Sequence, residues 1–324
     1  MLIPVLLLLL GFGLLIKGGD WFVDGAVGIA HRFHLPELLI GATIVSIGTT
    51  LPEVMVSADA AFVGNSGISY GNAIGSIICN TSLIAALTIA IRPMGVDKRT
   101  LYFPVAVFFA VALLYAGFAY FTGRFDRWNG ILLLAIFVTY LAVTVRQMKK
   151  HPVQAEEDEE GEAKVKERPL WLELVLLVVG AAAIAFGANL LVDNGTKIAA
   201  ALGVPDSVIG LTIIALGTSL PELVTAITAL VKGRSALSLG NIIGANLFNL
   251  VLVSGVAITI SPFSLPAGKL LAGHNASLLV DIPVMFLVMA ILCIPSILHG
   301  KLKRWQGILL LAIYAAYTVF QFLL

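Results

Sequence analysis

Ten apolar stretches, each close to the length needed to cross a lipid bilayer, follow one another along the chain. A transmembrane helix needs about 20 predominantly apolar residues, because the hydrocarbon core is about 30 Å thick. We therefore predict an all-α polytopic membrane protein with ten transmembrane helices. Bounded by charged residues, Pro or Gly, the predicted helices are 2–30, 37–63, 69–91, 101–121, 128–147, 169–199, 206–231, 238–261, 276–297 and 304–323.

The composition excludes an ordinary soluble protein. Hydrophobic residues make up 59% of the chain and charged residues 12%, whereas soluble domains contain about 45–50% apolar and about 25% charged residues. The net charge of +1 gives no reason to expect a nucleic-acid partner. The sequence has neither an HExxH zinc motif nor a phosphate-binding loop, so we expect no enzyme activity, no ATP-driven pumping and no cofactor. Cys79 and Cys293 lie in apolar stretches, and we predict no disulfide.

The two halves of the sequence repeat each other at a constant offset of 169 residues. GATIVSIGTTLPE at 41–53 matches GLTIIALGTSLPE at 210–222, with 8 of 13 positions identical. Further on, GNAIGSIICN at 71–80 matches GNIIGANLFN at 240–249. Each half has five predicted helices, an odd number, so the second half must cross the membrane in the opposite orientation to the first. We predict two inverted five-helix repeats, an architecture of many secondary transporters.

A hydrophilic segment separates the halves. We divide the chain into a first repeat at 1–147 with its motif region at 41–84, a linker at 148–168, and a second repeat at 169–324 with its motif region at 210–253. Five consecutive acidic residues at 156–160 lie in the linker. We interpret this run as a solvated connection, the alternative being a regulatory cation site.

The distribution of Lys and Arg predicts the orientation in the membrane, because basic loops stay in the cytoplasm. With the N-terminus outside, the cytoplasmic loops carry fifteen Lys and Arg residues and the external loops four. Both termini are therefore expected to be extracytoplasmic and the linker cytoplasmic. The membrane that we expect is the cytoplasmic (inner) membrane of a prokaryote, with lipid as the main surrounding partner.

Glu53 and Glu222 occupy the same position in the two repeats, in the middle of apolar segments. A charge at the bilayer centre costs at least about 2.5–3.5 kcal/mol, so such residues need a function or a partner. The apolar parts of helices 2, 3, 7 and 8 contain no basic residue that could pair with them. We therefore predict that both carboxylates bind cations, the alternative being a protonated or otherwise paired carboxyl group.

Residues around each Glu fit a site for a hard cation, which prefers several oxygen ligands. Hydroxyl groups three and four positions before the carboxylate share its helical face; they belong to Thr49, Thr50, Thr218 and Ser219. Pro52 and Pro221 lack an N–H group and are expected to open the helix at Gly48 and Gly217, exposing backbone carbonyls.

Polar residues recur every four positions in the third predicted helix, at Asn72, Ser76 and Asn80. We assign Asn80 and its counterpart Asn249 to the cation site. The neighbouring Gly-Asn pairs and glycines are interpreted as helix-packing residues. The repeated Asp24 and Asp193 are assigned a structural role, with a place along the ion pathway as the alternative.

The motifs GTTLPE with GNAIGSIICN and GTSLPE with GNIIGANLFN resemble the paired alpha-repeats of the cation/calcium exchanger superfamily, and length and loop size resemble its prokaryotic sodium/calcium exchanger branch. In that family the Glu carboxylates and nearby hydroxyl groups bind Ca2+ and Na+ in turn. The resemblance also implies backbone carbonyl ligands seven residues before each Glu. The implied metal-site residues are Glu53, Glu222, Thr49, Thr50, Thr218, Ser219, Ser46, Ala215, Ser76, Asn80 and Asn249.

The sequence departs from the family pattern at three places. Asn249 stands where potassium-dependent relatives have Asp, so the site has two carboxylates and coupling to K+ is not expected. Ala245 lacks the hydroxyl that Ser76 supplies, and Ile77 replaces the amide that Asn246 retains.

The expected function is a secondary active antiporter that exchanges Na+ for Ca2+ by alternating access, with the first and sixth helices moving against the others. The alternative is an antiporter of Ca2+, or another divalent cation, and H+, because a buried carboxylate can also carry a proton. A passive cation channel is the more remote alternative. The sequence leaves the oligomeric state open, and a monomer is sufficient for this mechanism.

Overall fold

The computed structural model describes residues 2–150, 168–203, 217–266, 270–271 and 273–323. Within these ranges ten helical segments follow one another, as predicted, and nearly all described residues are helical. The segments are α1 (Leu2–Arg32), α2 (Glu37–Phe62), α3 (Ser66–Ile91), α4 (Lys98–Thr122), α5 (Arg127–Lys150), α6 (Leu170–Ala201), α7 (Leu220–Val231), α8 (Ser235–Ile260), α9 (Ser277–His299) and α10 (Arg304–Leu323).

Eight of the described helices are long and apolar enough to cross a membrane. Of the other two, α7 is a shorter apolar helix, and α10 is a 20-residue helix. The first part of the predicted seventh helix, 206–216, lies outside the described residues. The all-α, ten-helix fold expected from the sequence is confirmed.

Glycines bring α1 and α6 into close contact along their length. Gly11, Gly18 and Gly25 recur every seven residues in α1, and Gly180 and Gly187 have the same spacing in α6. A Cβ atom on Gly18 would lie 2.9 Å from the backbone nitrogen of Ile184 in α6. Small residues at this spacing let two membrane helices approach closely. The two repeat-related helices therefore form a pair that runs the length of the molecule.

Helix α8 lies at the centre of the remaining helices. The apolar window of α8 is 83% buried, compared with 22% for α1 and for α6. A Cβ atom on Gly240 would collide with the backbone carbonyl of Leu38 in α2, and one on Gly244 would collide with the Ser46 hydroxyl. Gly240 and Gly244 therefore have the packing role that the sequence predicts. For their counterparts Gly71 and Gly75 the prediction is wrong, because no described atom of another helix lies within 4 Å of where their Cβ atoms would be. Helices α2, α3, α7 and α8 form a bundle, called here the core bundle.

Two pairs of very short strands connect the repeats. Met94–Gly95, after α3, pairs antiparallel with Lys301–Leu302, between α9 and α10. Arg124–Phe125, between α4 and α5, pairs antiparallel with Phe263–Ser264, after α8. The repeat operation exchanges these two pairs, which supports the inverted arrangement of the halves. A third pair joins Leu270–Leu271 to His274–Asn275. The sequence did not predict these strands, because two residues carry no periodic pattern.

Several helices contain a wider π-helical turn, which is uncommon and occurs frequently at functional sites. The turns Asn80–Ala85 in α3 and Asn249–Val253 in α8 are equivalent in the two repeats. The other described π turns are Gly41–Val45 in α2, Phe118–Thr122 at the end of α4 and Ser277–Asp281 at the start of α9.

Candidate cation site

Two acidic side chains, one from each repeat, are buried inside the core bundle. Glu53 lies in α2 and Glu222 in the first turn of α7, and neither side chain is exposed. The two carboxylates lie within electrostatic range of each other. Among the residues that the structure describes, none of their four oxygen atoms has a hydrogen-bond partner and no ion pair includes them. Burying such a pair of negative charges without compensation is very costly, so a bound cation or a proton must neutralise part of their charge.

The prolines act differently in the two repeats. Pro221 lies in the first turn of α7, after a non-helical turn at Thr218 and Ser219, where its missing N–H group is tolerated. Pro52 lies inside a continuous helix from Ser46 to Phe62. The expected opening of the helix at Gly48 is therefore wrong. The irregular turn of α2 is the π-helical segment just before Ser46, where the Ser46 hydroxyl lies 2.7 Å from the Gly41 carbonyl.

Hydroxyl groups from both repeats surround the carboxylates. The Thr49 hydroxyl lies against the Glu222 carboxyl group and donates a hydrogen bond of 3.1 Å to Asn241 Oδ1. The hydroxyls of Thr50 and Ser219 are buried and have no hydrogen-bond partner among the residues that the structure describes. Thr218 is half-buried. The structure thus places a hydroxyl of the first repeat beside the carboxylate of the second.

Asn80 and Asn249 each begin a π-helical turn that faces the opposite repeat. The turn of Asn80 packs on α7, which carries Glu222, and the turn of Asn249 packs on α2, which carries Glu53. Both side chains are fully buried. Within the described part of the chain, neither amide atom of Asn80 has a hydrogen-bond partner. Asn249 Nδ2 donates a hydrogen bond of 3.0 Å to the Ala245 carbonyl, and no described residue bonds to its Oδ1. Both Asn residues therefore offer an unused oxygen inside the core bundle.

The structure gives less support for the remaining predicted ligands. Ser76 is buried in α3. Ser46 is also buried, and its hydroxyl lies 2.9 Å from the Asn241 carbonyl in addition to its contact with Gly41. Whether the Ser46 carbonyl binds a cation stays a prediction. Ala215 lies outside the described residues.

The structure adds residues that sequence reasoning did not assign to the site. The thiol of Cys79 lies within electrostatic range of both carboxylates and next to the Ser219 hydroxyl. Asn241, assigned to packing, accepts the hydrogen bond of Thr49. The sequence signal for Cys79 was its position directly before Asn80, but its apolar neighbours indicated a helix-packing residue instead. Asn246 instead donates a hydrogen bond of 2.7 Å to the Thr81 hydroxyl, which links α8 to α3.

The donor set consists of hard oxygen atoms carrying a formal charge of −2, with neutral hydroxyl and amide oxygens around it. Carboxylate and neutral oxygen ligands suit Ca2+ and other hard cations. No group of three or more His, Cys, Asp and Glu side chains that could hold a metal occurs in the described part of the chain. The described donor atoms therefore fit a hard cation held by two carboxylates and several neutral oxygens.

The fold is that of a polytopic membrane protein with ten helices in two repeats, and both repeats contribute oxygen atoms to the buried candidate cation site. The chain belongs to the sodium/calcium exchanger protein family, whose model matches residues 3–146 and 172–323. A membrane protein of Methanocaldococcus jannaschii, MJ0091, is 38% identical, with 94% of each chain covered. The sodium/calcium exchanger MaX1 of Methanosarcina acetivorans is 32% identical, with 98% of each chain covered.

Solved structures of the sodium-calcium exchanger NCX_Mj have the same fold. A structure soaked with Na+ and Sr2+ matches with a TM-score of 0.80 at 35% identity, covering 97% of each chain. A second, soaked with Na+ and Ca2+, matches with a TM-score of 0.80 at 35% identity, covering 98% of this chain and 97% of the other. The likeness extends over almost the whole chain and includes both repeats.

Proposed function

We propose that the protein is a secondary active antiporter that exchanges Na+ for Ca2+ across the membrane. The observation that carries this proposal is the pair Glu53 and Glu222, contributed by opposite repeats and buried side by side without a basic partner among the described residues. Relatives that share the fold and nearly the full length, MaX1 and NCX_Mj, are named sodium/calcium exchangers. Na+ and Ca2+ are thus the substrates of the proposed exchange.

The two carboxylates provide the charge for exchange. Their total charge of −2 balances one Ca2+ or two Na+ ions. Binding both kinds of ion together would leave excess positive charge in a medium of low dielectric constant, where repulsion is strong. Ca2+ and Na+ therefore compete, and the loss of one ion set allows the other to bind. Asn249, which is neutral, keeps the charge at −2 and gives no reason to involve K+.

Neutral oxygens complete the proposed coordination. The free hydroxyls of Thr50 and Ser219 and the free amide oxygens of Asn80 and Asn249 are available to replace part of the hydration shell of an ion. Thr49, Thr218 and Ser76 extend this set. The carbonyls of Ser46 and Ala215 are proposed as further ligands from the family resemblance alone. Oxygen ligands from both repeats make one shared site rather than two independent ones.

Transport requires that this site open to one side of the membrane at a time. The pair of α1 and α6 packs on the outside of the core bundle and is held together by its own glycines. We propose that this pair moves as a unit across the core bundle, which holds the cation ligands. The pseudo-two-fold axis that relates inverted repeats then also relates the two end states to each other.

We further propose that both termini are extracytoplasmic, that the linker at 148–168 is cytoplasmic, and that the protein resides in the cytoplasmic membrane of a prokaryote. The support is the excess of Lys and Arg in the loops on the linker side. The division into repeats at 1–147 and 169–324 follows from the repeat offset of 169 residues.

The experiment uses liposomes that contain purified protein and are loaded with Na+. We expect radiolabelled Ca2+ to enter when the liposomes are diluted into Na+-free buffer, and no uptake when the internal Na+ is replaced by choline. A parallel arm replaces the Na+ gradient with a pH gradient. Uptake driven only by the pH gradient would assign the protein to Ca2+/H+ antiport, and uptake without any counter-gradient would assign it to a channel.

A further inference from the structure

A cluster of charged residues joins α1 to the end of α7 on the face of the protein where the linker begins and ends. The Lys232 ammonium group contacts three oxygen atoms of α1: Nζ lies 2.5 Å from Asp24 Oδ1, 3.0 Å from the Asp20 carbonyl and 3.4 Å from Asp20 Oδ1. Arg168, just before α6, lies 3.2 Å from the other oxygen of Asp24. We call Lys232, Asp20, Asp24 and Arg168 the linker-face latch.

The latch connects the parts of the molecule that alternating access must separate. Asp20 and Asp24 belong to α1 and Arg168 precedes α6, whereas Lys232 continues directly from α7 in the core bundle. The latch residues border a cavity of about 560 Å³, together with Lys17, Trp21, Leu172 and Leu176. Water in this cavity can reach the ion pairs, whose side chains are between 23% and 41% exposed.

The repeat provides a comparison within the same chain, because each latch position except Arg168 has a counterpart on the opposite face. Lys232 corresponds to Val63 and Asp20 to Asn189. Asp24 corresponds to Asp193, which is exposed and makes no ion pair with any residue that the structure describes. Among the described residues, the latch thus exists on one face only.

Packing next to the latch has the same asymmetry. Gly19 of α1 lies directly against Val224 and Thr228 of α7: a Cβ atom on Gly19 would lie 2.8 Å from side-chain atoms of both. Met55, the repeat counterpart of Val224, has 66% of its surface exposed. Helix α1 is therefore packed onto α7 near the linker face, whereas the equivalent position of α2 is uncovered.

We infer that Lys232, acting through Asp20 and Asp24, is a positioning residue that favours the state in which the cation site is closed at the linker face and open at the opposite one. Inverted repeats give the two end states similar free energies, so a contact present on one face only decides which state predominates. This inference rests on the proposed exchange. With the proposed orientation, the favoured state faces the outside.

The latch should shift the balance modestly, because partly exposed ion pairs are weak. Loss of Lys232 is expected to raise the population of the state open at the linker face about fivefold, which corresponds to about 1 kcal/mol. A shift of this size changes how often the cation site faces each side of the membrane, without preventing either state from forming.

A cysteine at the α1–α7 contact measures the shift. Thr228→Cys places a partly buried thiol against Gly19 of α1, and a water-soluble maleimide should reach it faster when α1 leaves α7. Cys79 and Cys293 are buried, and their labelling in protein without this substitution gives the background rate. In detergent-solubilised protein, Lys232→Gln should accelerate labelling of this thiol about fivefold. Lys232→Arg should retain the slow rate, and added choline chloride should accelerate labelling when Lys232 is present, because salt screens exposed ion pairs.

Asp193→Asn is the matched control, because it removes the same carboxylate as Asp24→Asn at the repeat-equivalent position. We expect faster labelling with Asp24→Asn and no change with Asp193→Asn. Equal rates with and without Lys232→Gln, or the same acceleration with Asp193→Asn, would overturn the inference. Labelling needs no ion gradient, so its failure contradicts the latch alone, whereas absent Ca2+ flux with the expected labelling contradicts the exchange alone.

Discussion

Replacing Glu53 with Gln tests the role of the carboxylate pair with almost no change in shape. The side chain is fully buried and no described residue forms a hydrogen bond with its two oxygens, so the variant removes one negative charge and leaves Glu222 as the remaining carboxylate. Removing one partner from a buried pair of opposite charges, here the carboxylate from the bound Ca2+, costs about 3–5 kcal/mol. The expected weakening of Ca2+ binding is therefore about 150-fold to about 4,000-fold.

The same change should affect Na+ less than Ca2+. The Coulomb energy scales with the charge of the ion, so a monovalent ion loses about half as much attraction as a divalent one. Isothermal titration calorimetry of purified protein, with each ion titrated in a choline buffer, measures both effects. We expect a site in Glu53→Gln that still binds Na+ but holds Ca2+ poorly.

Glu173→Gln provides the matched control. Glu173 is a third buried carboxylate, with 2% exposure, but it lies in the first turn of α6 against Gly28 of α1 rather than in the candidate site. Its replacement should leave the Ca2+ affinity unchanged. The reasoning would be refuted by Glu53→Gln protein that retains Ca2+ affinity within about tenfold of the parent, a loss of less than about 1.4 kcal/mol.

Three further predictions concern packing, the amide ligands and orientation. Gly240→Ala should destabilise the protein by about 1–3 kcal/mol, because its Cβ would collide with the Leu38 carbonyl, whereas Gly13→Ala, with open space around it, should not lower the melting temperature in detergent. Asn249→Leu should weaken Ca2+ binding about tenfold in calorimetry, since it removes a free buried oxygen, and an unchanged affinity would exclude this ligand. A cysteine added after Leu324 should react with an impermeant maleimide on intact cells; protection there with labelling only after lysis would reverse the proposed orientation.

The fold was accessible from sequence because its main determinants are local. Apolar length predicts each membrane helix, and the observed boundary of α2 at Phe62 lies within one residue of the predicted 63. The inverted arrangement followed from counting helices in a repeat whose offset stays at 169 residues across both motif regions. The short strands were inaccessible, since Met94–Gly95 and Lys301–Leu302 lie some two hundred residues apart and pair through backbone atoms that carry no sequence signal.

The candidate site was accessible in its residue types but less so in its geometry. Glu53 and Glu222 stood out because a charge in an apolar segment is costly. The effect of Pro52 was predicted wrongly, because the surrounding helix tolerates a proline there and the irregular turn forms at Gly41–Val45 instead. The crossed packing of the Asn80 and Asn249 turns depends on contacts between repeats, which no local pattern encodes.

The central claim is that Na+ and Ca2+ compete for one site made by both repeats. The most direct measurement is the apparent Ca2+ dissociation constant at increasing Na+ concentrations, with choline keeping the ionic strength constant. Because two carboxylates must be balanced by more than one Na+, the constant should rise more steeply than in direct proportion to Na+. A Ca2+ affinity that does not change with Na+ would contradict a shared site.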